Sequence, residues 1–252
     1  MKNLTTKLSF AAALTLTLAT AGAPAAFAQE AAAKPDNEVS FNAAVTTDYR
    51  YRGLSQSRFK PAFQGGADYV NNPTGFYAGI WASTIKWTGD LGGGGNVEFD
   101  LYGGKRGDIG GGFSYDVGAL HYNYPSNGFN PSANTTEVYG QVGYGPGYLK
   151  YSHSTTDLFG TADSKGSGYL DLGANIELTT GLVLNLHVGR QRVANNGAFS
   201  YNDYKIGFTK DLGGLASLSL SVVGADTDAY VSPFNGKDLG KTLVVVAVSK
   251  TF

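Results

Sequence analysis

Apolar and polar residues alternate along much of this chain. The first such run begins after Glu38: Val39, Phe41, Ala43, Val45, Thr47, Tyr49 and Tyr51 occupy one register, and mostly polar residues up to Arg52 occupy the other. A period of two residues predicts a β-strand with two different faces. The run is longer than a globular strand, which usually has about five or six residues. It is typical of a membrane strand that continues beyond the lipid.

Further alternating segments follow to the end of the chain, and together they predict an all-β fold of about twelve strands. The connections after even-numbered strands are short. Those after odd-numbered strands are long and polar or glycine-rich, around 53–60, 85–95, 125–136, 155–167, 191–200 and 226–240. Short turns at one end and long loops at the other are typical of outer-membrane barrels. We therefore expect an antiparallel up-and-down transmembrane β-barrel.

The last segment, Leu243 to Phe252, has the sequence LVVVAVSKTF and contains no Gly or Pro. Left unpaired it would be an exposed apolar edge strand, and pairing with the first strand removes that edge by closing a barrel. Ten tilted residues also match the thickness of the hydrocarbon layer. We predict that this strand and its terminal Phe252 close the barrel and present it to the barrel-assembly machinery.

The N-terminus predicts export from the cytoplasm. Lys2 and Lys7 precede the apolar run Leu8–Ala23, and Ala26-Phe27-Ala28 has the form of a cleavage site, so we expect a signal peptide at 1–28. A polar tail at 29–37 and a barrel at 38–252 would follow. The expected location is the outer membrane of a Gram-negative bacterium, with outer-membrane lipid as a partner.

Composition narrows the function further. The chain has 19 Lys and Arg, 20 Asp and Glu and no Cys, a balance that does not suggest a nucleic-acid partner and that rules out thiolate chemistry. Its three histidines are far apart in sequence, and no motif predicts a cofactor or metal. The oligomeric state stays open.

Aromatic residues cluster towards the strand ends, which predicts two girdles at the membrane interfaces. We assign one girdle to the short-turn end, with Phe41, Phe76, Tyr77, Phe113, Phe208 and Phe252. We assign the other to the long-loop end, with Tyr49, Tyr51, Trp81, Trp87, Tyr122, Tyr124, Tyr201 and Tyr204.

Charged residues of both signs occupy the register opposite the predicted lipid face. The candidate pore-lining residues are Asp48, Arg50, Arg52, Glu98, Asp100, Asp116, Lys150, Asp171, Glu177, Asp203 and Lys205, and Glu137 and His187 share their register. So many charges in a dry core would be costly, which indicates a wet lumen. They favour either a pore whose charges bias passage of small hydrophilic solutes or a mutually paired interior without selectivity.

Two other functions remain as alternatives. A non-conducting structural or adhesive barrel would bind a surface partner through its loops. A lipid hydrolase is suggested by His121 followed by Ser126-Asn127-Gly128, which is similar to the His-x-Ser-Asn-Gly run of outer-membrane phospholipases. However, Ser126 follows His121 by five positions rather than two, and Pro125 intervenes. An interfacial histidine is the simpler interpretation, and we expect no enzyme.

Several segments carry a resemblance to a known family. They are Val45–Gln56 (VTTDYRYRGLSQ), Gly75–Ser83 (GFYAGIWAS), Glu98–Gly104 (EFDLYGG), Ser114–Gly118 (SYDVG) and the terminal Ser249–Phe252 (SKTF). The chain resembles the proteobacterial TorF family of porins over essentially the whole mature sequence. The resemblance implies an outer-membrane barrel assigned to solute passage, without a substrate that could be transferred.

Overall fold

The computed structural model describes residues 35–252; the predicted signal peptide at 1–28 and most of the predicted polar tail lie outside this range. Twelve strands form the barrel wall: β1 (Asn37–Thr46), β4 (Ala62–Asn71), β5 (Phe76–Thr84), β6 (Val97–Gly110), β7 (Phe113–Asn123), β8 (Thr135–Tyr144), β9 (Gly147–Ser154), β10 (Gly168–Thr179), β11 (Leu182–Arg192), β12 (Tyr201–Asp211), β13 (Ser217–Ala225) and β14 (Leu243–Thr251). Between β1 and β4 lie β2 (Arg50–Tyr51) and β3 (Leu54–Ser55), which pair only with each other. One helical turn, α1 (Trp87–Asp90), and a 3-10 turn (Gly197–Phe199) sit in loops. Among the described residues, no helix is long and apolar enough to cross a membrane.

The barrel closes where its first and last strands meet. β1 pairs antiparallel with β14 on one side and with β4 on the other, with Val45 opposite Val248. Phe41 and Phe252 exchange two backbone hydrogen bonds of 3.2 and 2.8 Å. Every strand pair in the wall is antiparallel. The predicted twelve-stranded closed barrel is confirmed.

The two faces of each strand separate as the alternation predicts. On β13, Leu218, Leu220 and Val222 point outward and are exposed, while the intervening serines are buried inside the barrel. Because successive side chains of a strand point to opposite faces, one apolar residue in every two covers the outside with an apolar layer. The short connections (72–75, 111–112, 145–146, 180–181 and 212–216) and both ends of the described chain lie at one end of the barrel, and the long loops lie at the other.

The first predicted strand is wrong beyond Thr46. The alternation continues to Arg52, but β1 ends at Thr46 and residues 47–61, here called the inward segment, turn into the barrel. Tyr49 and Tyr51 are consequently buried, with 0% and 8% of their surface exposed. They cannot belong to a lipid-facing girdle.

The predicted girdles are wrong for other tyrosines too. Tyr77, Tyr122, Tyr124 and Tyr201 are also buried. Tyr77, Tyr102, Tyr122 and Tyr139 take part with Tyr49 and Tyr51 in one internal cluster. By contrast, the short-turn phenylalanines are exposed as predicted: Phe41, Phe76, Phe113, Phe208 and Phe252. The phenol rings point inward because each hydroxyl needs a hydrogen-bond partner, which the interior supplies and hydrocarbon does not.

Candidate functional site: the barrel interior and its inward segment

The inward segment is held in shape by its own polar side chains. The Asp48 carboxylate accepts hydrogen bonds from the Ser55 and Ser57 hydroxyls (2.6 and 2.9 Å) and from Arg50 Nε (2.6 Å). Thr46, the last residue of β1, donates from its hydroxyl to the Asp48 carbonyl oxygen at 3.0 Å. Asp48 therefore organises the point at which the chain leaves the wall.

The tip of this segment is a tight hairpin. Arg52 and Gly53 have φ values of 45° and 80°, and they connect the paired strands β2 and β3. Two central residues with positive φ define a type I′ turn, in which glycine is favoured. The turn directs the Arg52 side chain away from β1, the strand that precedes the segment.

Arg52 reaches the far wall of the barrel. Its guanidinium donates to both carboxylate oxygens of Glu137 on β8 (3.0 and 2.6 Å) and to the Gln191 side-chain oxygen on β11 (2.7 Å). It also lies over the ring of Tyr169 on β10, 4.1 Å from the centroid. In the closed sheet, β8, β10 and β11 are each several strands away from β1 and β4, the two strands that the inward segment connects. The segment therefore crosses the lumen and narrows it.

Gly53 packs against a third part of the wall. A Cβ atom built on it would lie 2.7 Å from Asp203 Cβ on β12 and 2.7 Å from the Gly224 carbonyl oxygen on β13. Such distances leave no room for a side chain. The tip is thus held against one continuous stretch of the wall, through contacts with β8, β10 and β11 and with β12 and β13.

Two tyrosines of the segment bind the remaining wall. The Tyr51 hydroxyl donates to the Tyr122 hydroxyl on β7 (2.8 Å), and the Tyr49 hydroxyl donates to Glu98 on β6 (3.1 Å). Burial raises the pKa of the Tyr51 phenol, so it stays a neutral donor. For Arg52, burial lowers the pKa, but the negative charge of Glu137 outweighs it and the net pKa is raised. The guanidinium of Arg52 therefore stays a cation at the tip of the segment.

Deeper in the interior, polar side chains pair across neighbouring strands. The His187 ring on β11 lies between Asp171 on β10 (Nδ1 to oxygen, 2.8 Å) and Asp203 on β12 (Nε2 to oxygen, 2.7 Å). On other strands, Tyr77 donates to Asp116 at 2.6 Å and Tyr102 donates to Asp68. These pairs line the wall without crossing the lumen.

Several interior charges remain without an ionic partner. Within residues 35–252, Lys150 and Lys205 form no salt bridge, although the Lys150 ammonium lies 4.0 Å from the Tyr139 ring centroid. In the same range, one oxygen of Glu98 and both carboxylate oxygens of Asp100 have no hydrogen-bond partner. These carboxylate oxygens are sealed from solvent, and the inward-facing charged or titratable side chains that stay partly exposed include Asp116, His187 and Lys205.

The predicted pore-lining residues lie in four parts of the barrel. Asp48, Arg50 and Arg52 belong to the inward segment rather than to a wall strand. Glu98, Asp100, Asp171 and Asp203 lie on the wall towards the long-loop end, and Asp116, Lys150 and Lys205 lie deeper. Glu177 is exposed, close to the short turn at 180–181.

The sequence analysis did not identify Gln191 and Tyr169, two of the three wall residues that hold Arg52. Gln191 lies four positions after His187 on β11, so the two side chains share the inward register. That shared register was the signal that could have predicted an interior position for Gln191. Nothing in the sequence distinguished Tyr169, because its ring contacts Arg52 only once the inward segment has folded onto β10.

The candidate hydrolase residues are not arranged as a nucleophile and base. His121 Nδ1 lies 2.9 Å from the Thr136 hydroxyl across the β7–β8 pair. Ser126 lies in the following loop with a φ of 62°, and within the described chain it makes no hydrogen bond to His121. A catalytic pair would need a separation of about 3 Å.

The class of protein defined by this fold is the porin-like closed β-barrel. Within it, the chain belongs to the family described as bacterial protein of unknown function (Gcw_chp), whose model matches residues 29–252. This family match does not support the TorF name that the sequence resemblance suggested. No curated protein matches the chain.

Solved porin structures share the architecture. KdgM porin is 8% identical with a TM-score of 0.56, covering 84% of this chain and 99% of its own. A second KdgM structure, in complex with disordered oligogalacturonate, has 8% identity and a TM-score of 0.54 and covers 85% and 98%. NanC porin has 7% identity and a TM-score of 0.53 and also covers 85% and 98%. At these identities the likeness shows the fold.

Proposed function

We propose that the protein is an outer-membrane channel of a Gram-negative bacterium through which small hydrophilic solutes diffuse passively. The observation that carries the proposal is the polar interior, in which Asp116, His187 and Lys205 stay partly exposed, enclosed by an apolar outer face. Only a water-filled interior inside a lipid-embedded wall satisfies both surfaces. A barrel of twelve strands is wider than the eight-stranded barrels that side chains just fill.

The inward segment is the constriction of this channel. It sets which solutes pass, because it takes up part of the cross-section and brings Arg50, Arg52 and Asp48 into the lumen. The oligogalacturonate-bound KdgM structure shares the fold and supports a solute of small hydrophilic character.

Export and assembly complete the proposal. Residues 1–28 direct secretion and are removed, and the C-terminal strand with Phe252 is recognised by the barrel-assembly machinery. No step requires a cofactor or a covalent reaction, so we propose that the protein is not an enzyme.

A non-conducting barrel is the second candidate, and the tethering of Arg52 to Glu137 and Gln191 favours it. In that case the segment seals the lumen, and the loops alone would act by binding a partner.

Reconstitution separates the two candidates. Purified protein is inserted into planar bilayers and into liposomes, and conductance and swelling are measured with neutral and charged solutes of graded size. We expect discrete conductance steps and swelling rates that fall with solute size, with heat-denatured protein as the control. No flux from the native protein, together with none from an Arg52→Ala variant whose segment is released, would remove the channel proposal.

A further inference from the structure

A cavity of about 380 Å³ lies among the long loops, on the outer side of the inward segment. Its floor consists of buried residues, including Tyr51, Leu158 and Tyr201. Its rim includes Leu91, Phe199 and Val231, which are 57%, 39% and 48% exposed. The cavity therefore opens away from the barrel, and its volume falls within the range of small-molecule sites, about 300–1,000 Å³.

The walls are aromatic rings held by one another. Trp87 stacks nearly parallel to Phe129, with an angle of 7° between the rings and 5.9 Å between centroids, and it meets Tyr124 edge-on at 5.0 Å. On another side, Tyr230 contacts Tyr201 edge-on at 5.3 Å, and its hydroxyl donates to the Phe199 carbonyl oxygen at 2.8 Å. Pre-positioned ring faces and edges of this kind suit a planar apolar molecule.

The charged groups of the lining neutralise each other. Arg58 and Asp90 form a two-point ion pair, with Arg58 Nε donating to Asp90 Oδ2 at 2.7 Å and Arg58 Nη2 donating to Asp90 Oδ1. The guanidinium is also covered by the Phe234 ring, 3.8 Å from its centroid. Among the described residues, the cavity thus offers no free charge to a charged ligand, which favours a neutral one.

Two lining side chains have a buried donor with no partner. They are the Trp87 indole Nε1 and the Ser232 hydroxyl, and within residues 35–252 neither is hydrogen-bonded. Both atoms are sealed from the cavity as well as from solvent, so a ligand in the cavity does not reach them. The aromatic lining and the paired charges, rather than these donors, therefore define the ligand.

We propose that this cavity is a binding site for a neutral, planar, mainly apolar small molecule about the size of two fused rings. The site shares Tyr51 and Gln191 with the contacts that hold the inward segment, and its occupancy can be measured whether or not the barrel conducts.

The test uses the two tryptophans of the chain, Trp81 and Trp87. In a Trp81→Phe background, Trp87 becomes the single indole reporter. The protein is placed in lipid nanodiscs and titrated with 6-acetyl-2-dimethylaminonaphthalene, a neutral two-ring ketone that absorbs where indole emits. We expect saturable quenching of Trp87 emission with one site per barrel, above the signal from empty nanodiscs.

Matched variants locate the site, each checked for folding by its heat-modifiable migration in gels. Ala229 lines the cavity, and Ala229→Phe should fill it and weaken binding at least about tenfold, the loss expected when ring contacts and volume are removed together. Ala43→Phe makes the same change on the exposed outer face and should leave binding unchanged.

The outcomes separate cleanly. Saturable quenching lost in Ala229→Phe and kept in Ala43→Phe supports the proposal. Quenching equal to that of empty nanodiscs, or unaffected by Ala229→Phe, overturns it, as does saturable competition by maltotriose, which would make the site a carbohydrate site. Because the readout is fluorescence, a negative result leaves the conductance experiment independent.

Discussion

Arg52 and Glu137 lie 85 positions apart in the chain and form an ion pair of 2.6 Å across the interior of the barrel. Their side chains are only 6% and 3% exposed. The pair joins the tip of the inward segment to the opposite wall. Removing this contact is therefore the most direct test of whether it holds the segment in place.

Arg52→Ala should release the inward segment and raise the single-channel conductance. The change removes the cation and leaves Glu137 buried and uncompensated, a loss of roughly 3–5 kcal/mol for a buried pair. Conductance in planar bilayers and thermal unfolding are the measurements. Arg190→Ala is the control, since Arg190 is exposed on the outer register of β11. The double variant Arg52→Ala/Glu137→Gln should regain part of the lost stability, and a double variant less stable than Arg52→Ala would contradict the pairing argument.

Gly53→Ala should also displace the segment. The substitution combines a φ of 80°, which L-residues rarely adopt, with a Cβ placed 2.7 Å from Asp203 Cβ and from the Gly224 carbonyl oxygen. We expect increased trypsin cleavage after Arg52, Arg58 or Lys60, followed by mass spectrometry. Gly214→Ala is matched in φ, at 78°, but has nothing within 4 Å of its Cβ position. Equal protease resistance of the two variants would show that the tip is not clamped.

The partly exposed interior charges should set ion preference in opposite directions. Lys205→Gln removes a positive charge from the lumen and should shift permeability towards cations, whereas Asp116→Asn removes a negative charge and should shift it towards anions; both side chains are partly exposed in the interior. The reversal potential in a KCl gradient measures both. Lys210→Gln, at the exposed short-turn end of β12, should change little. Identical reversal potentials in Lys205→Gln and Asp116→Asn would mean that these side chains do not line the path of the ions.

Leu220→Arg tests the lipid face directly. Leu220 is 51% exposed in the middle of β13 and points away from the lumen. An arginine at the bilayer midplane should reduce the free energy of unfolding by about 2–4 kcal/mol. The measurement is reversible urea unfolding in lipid vesicles. The same change at Leu215, in the turn at 212–216, should cost about 0–1 kcal/mol because that turn lies at the water interface. Equal costs at both positions would argue against a membrane around the strands.

Residues on the barrel surface were the most predictable part of the structure. Val39, Phe41 and Val45 of β1 point outward as the alternation indicates. The serine register of β13 faces inward for the same reason. At these positions the environment of each side chain depends on its own strand alone, so a local pattern is sufficient.

For the interior, the sequence predicted which charged residues lie inside the barrel but not which structural element carries them. Asp48, Arg50 and Arg52 were assigned to the inside of the barrel, and they lie there, but they belong to the inward segment and not to a strand of the wall. The tyrosines were assigned to the membrane interface, although Tyr49, Tyr51 and Tyr122 are buried around that loop. The local pattern of β1 runs on unbroken past Thr46, and nothing in it marks the departure from the wall.

The sequence by itself determined the twelve strands, their antiparallel order, the unequal ends of the barrel and which register faces outward, because period-two alternation and turn length act between near neighbours. Only the tertiary structure decided that residues 47–61 cross the lumen. That outcome depends on Glu137, Gln191 and Tyr169, which become neighbours of Arg52 only after β1 and β14 have closed the sheet.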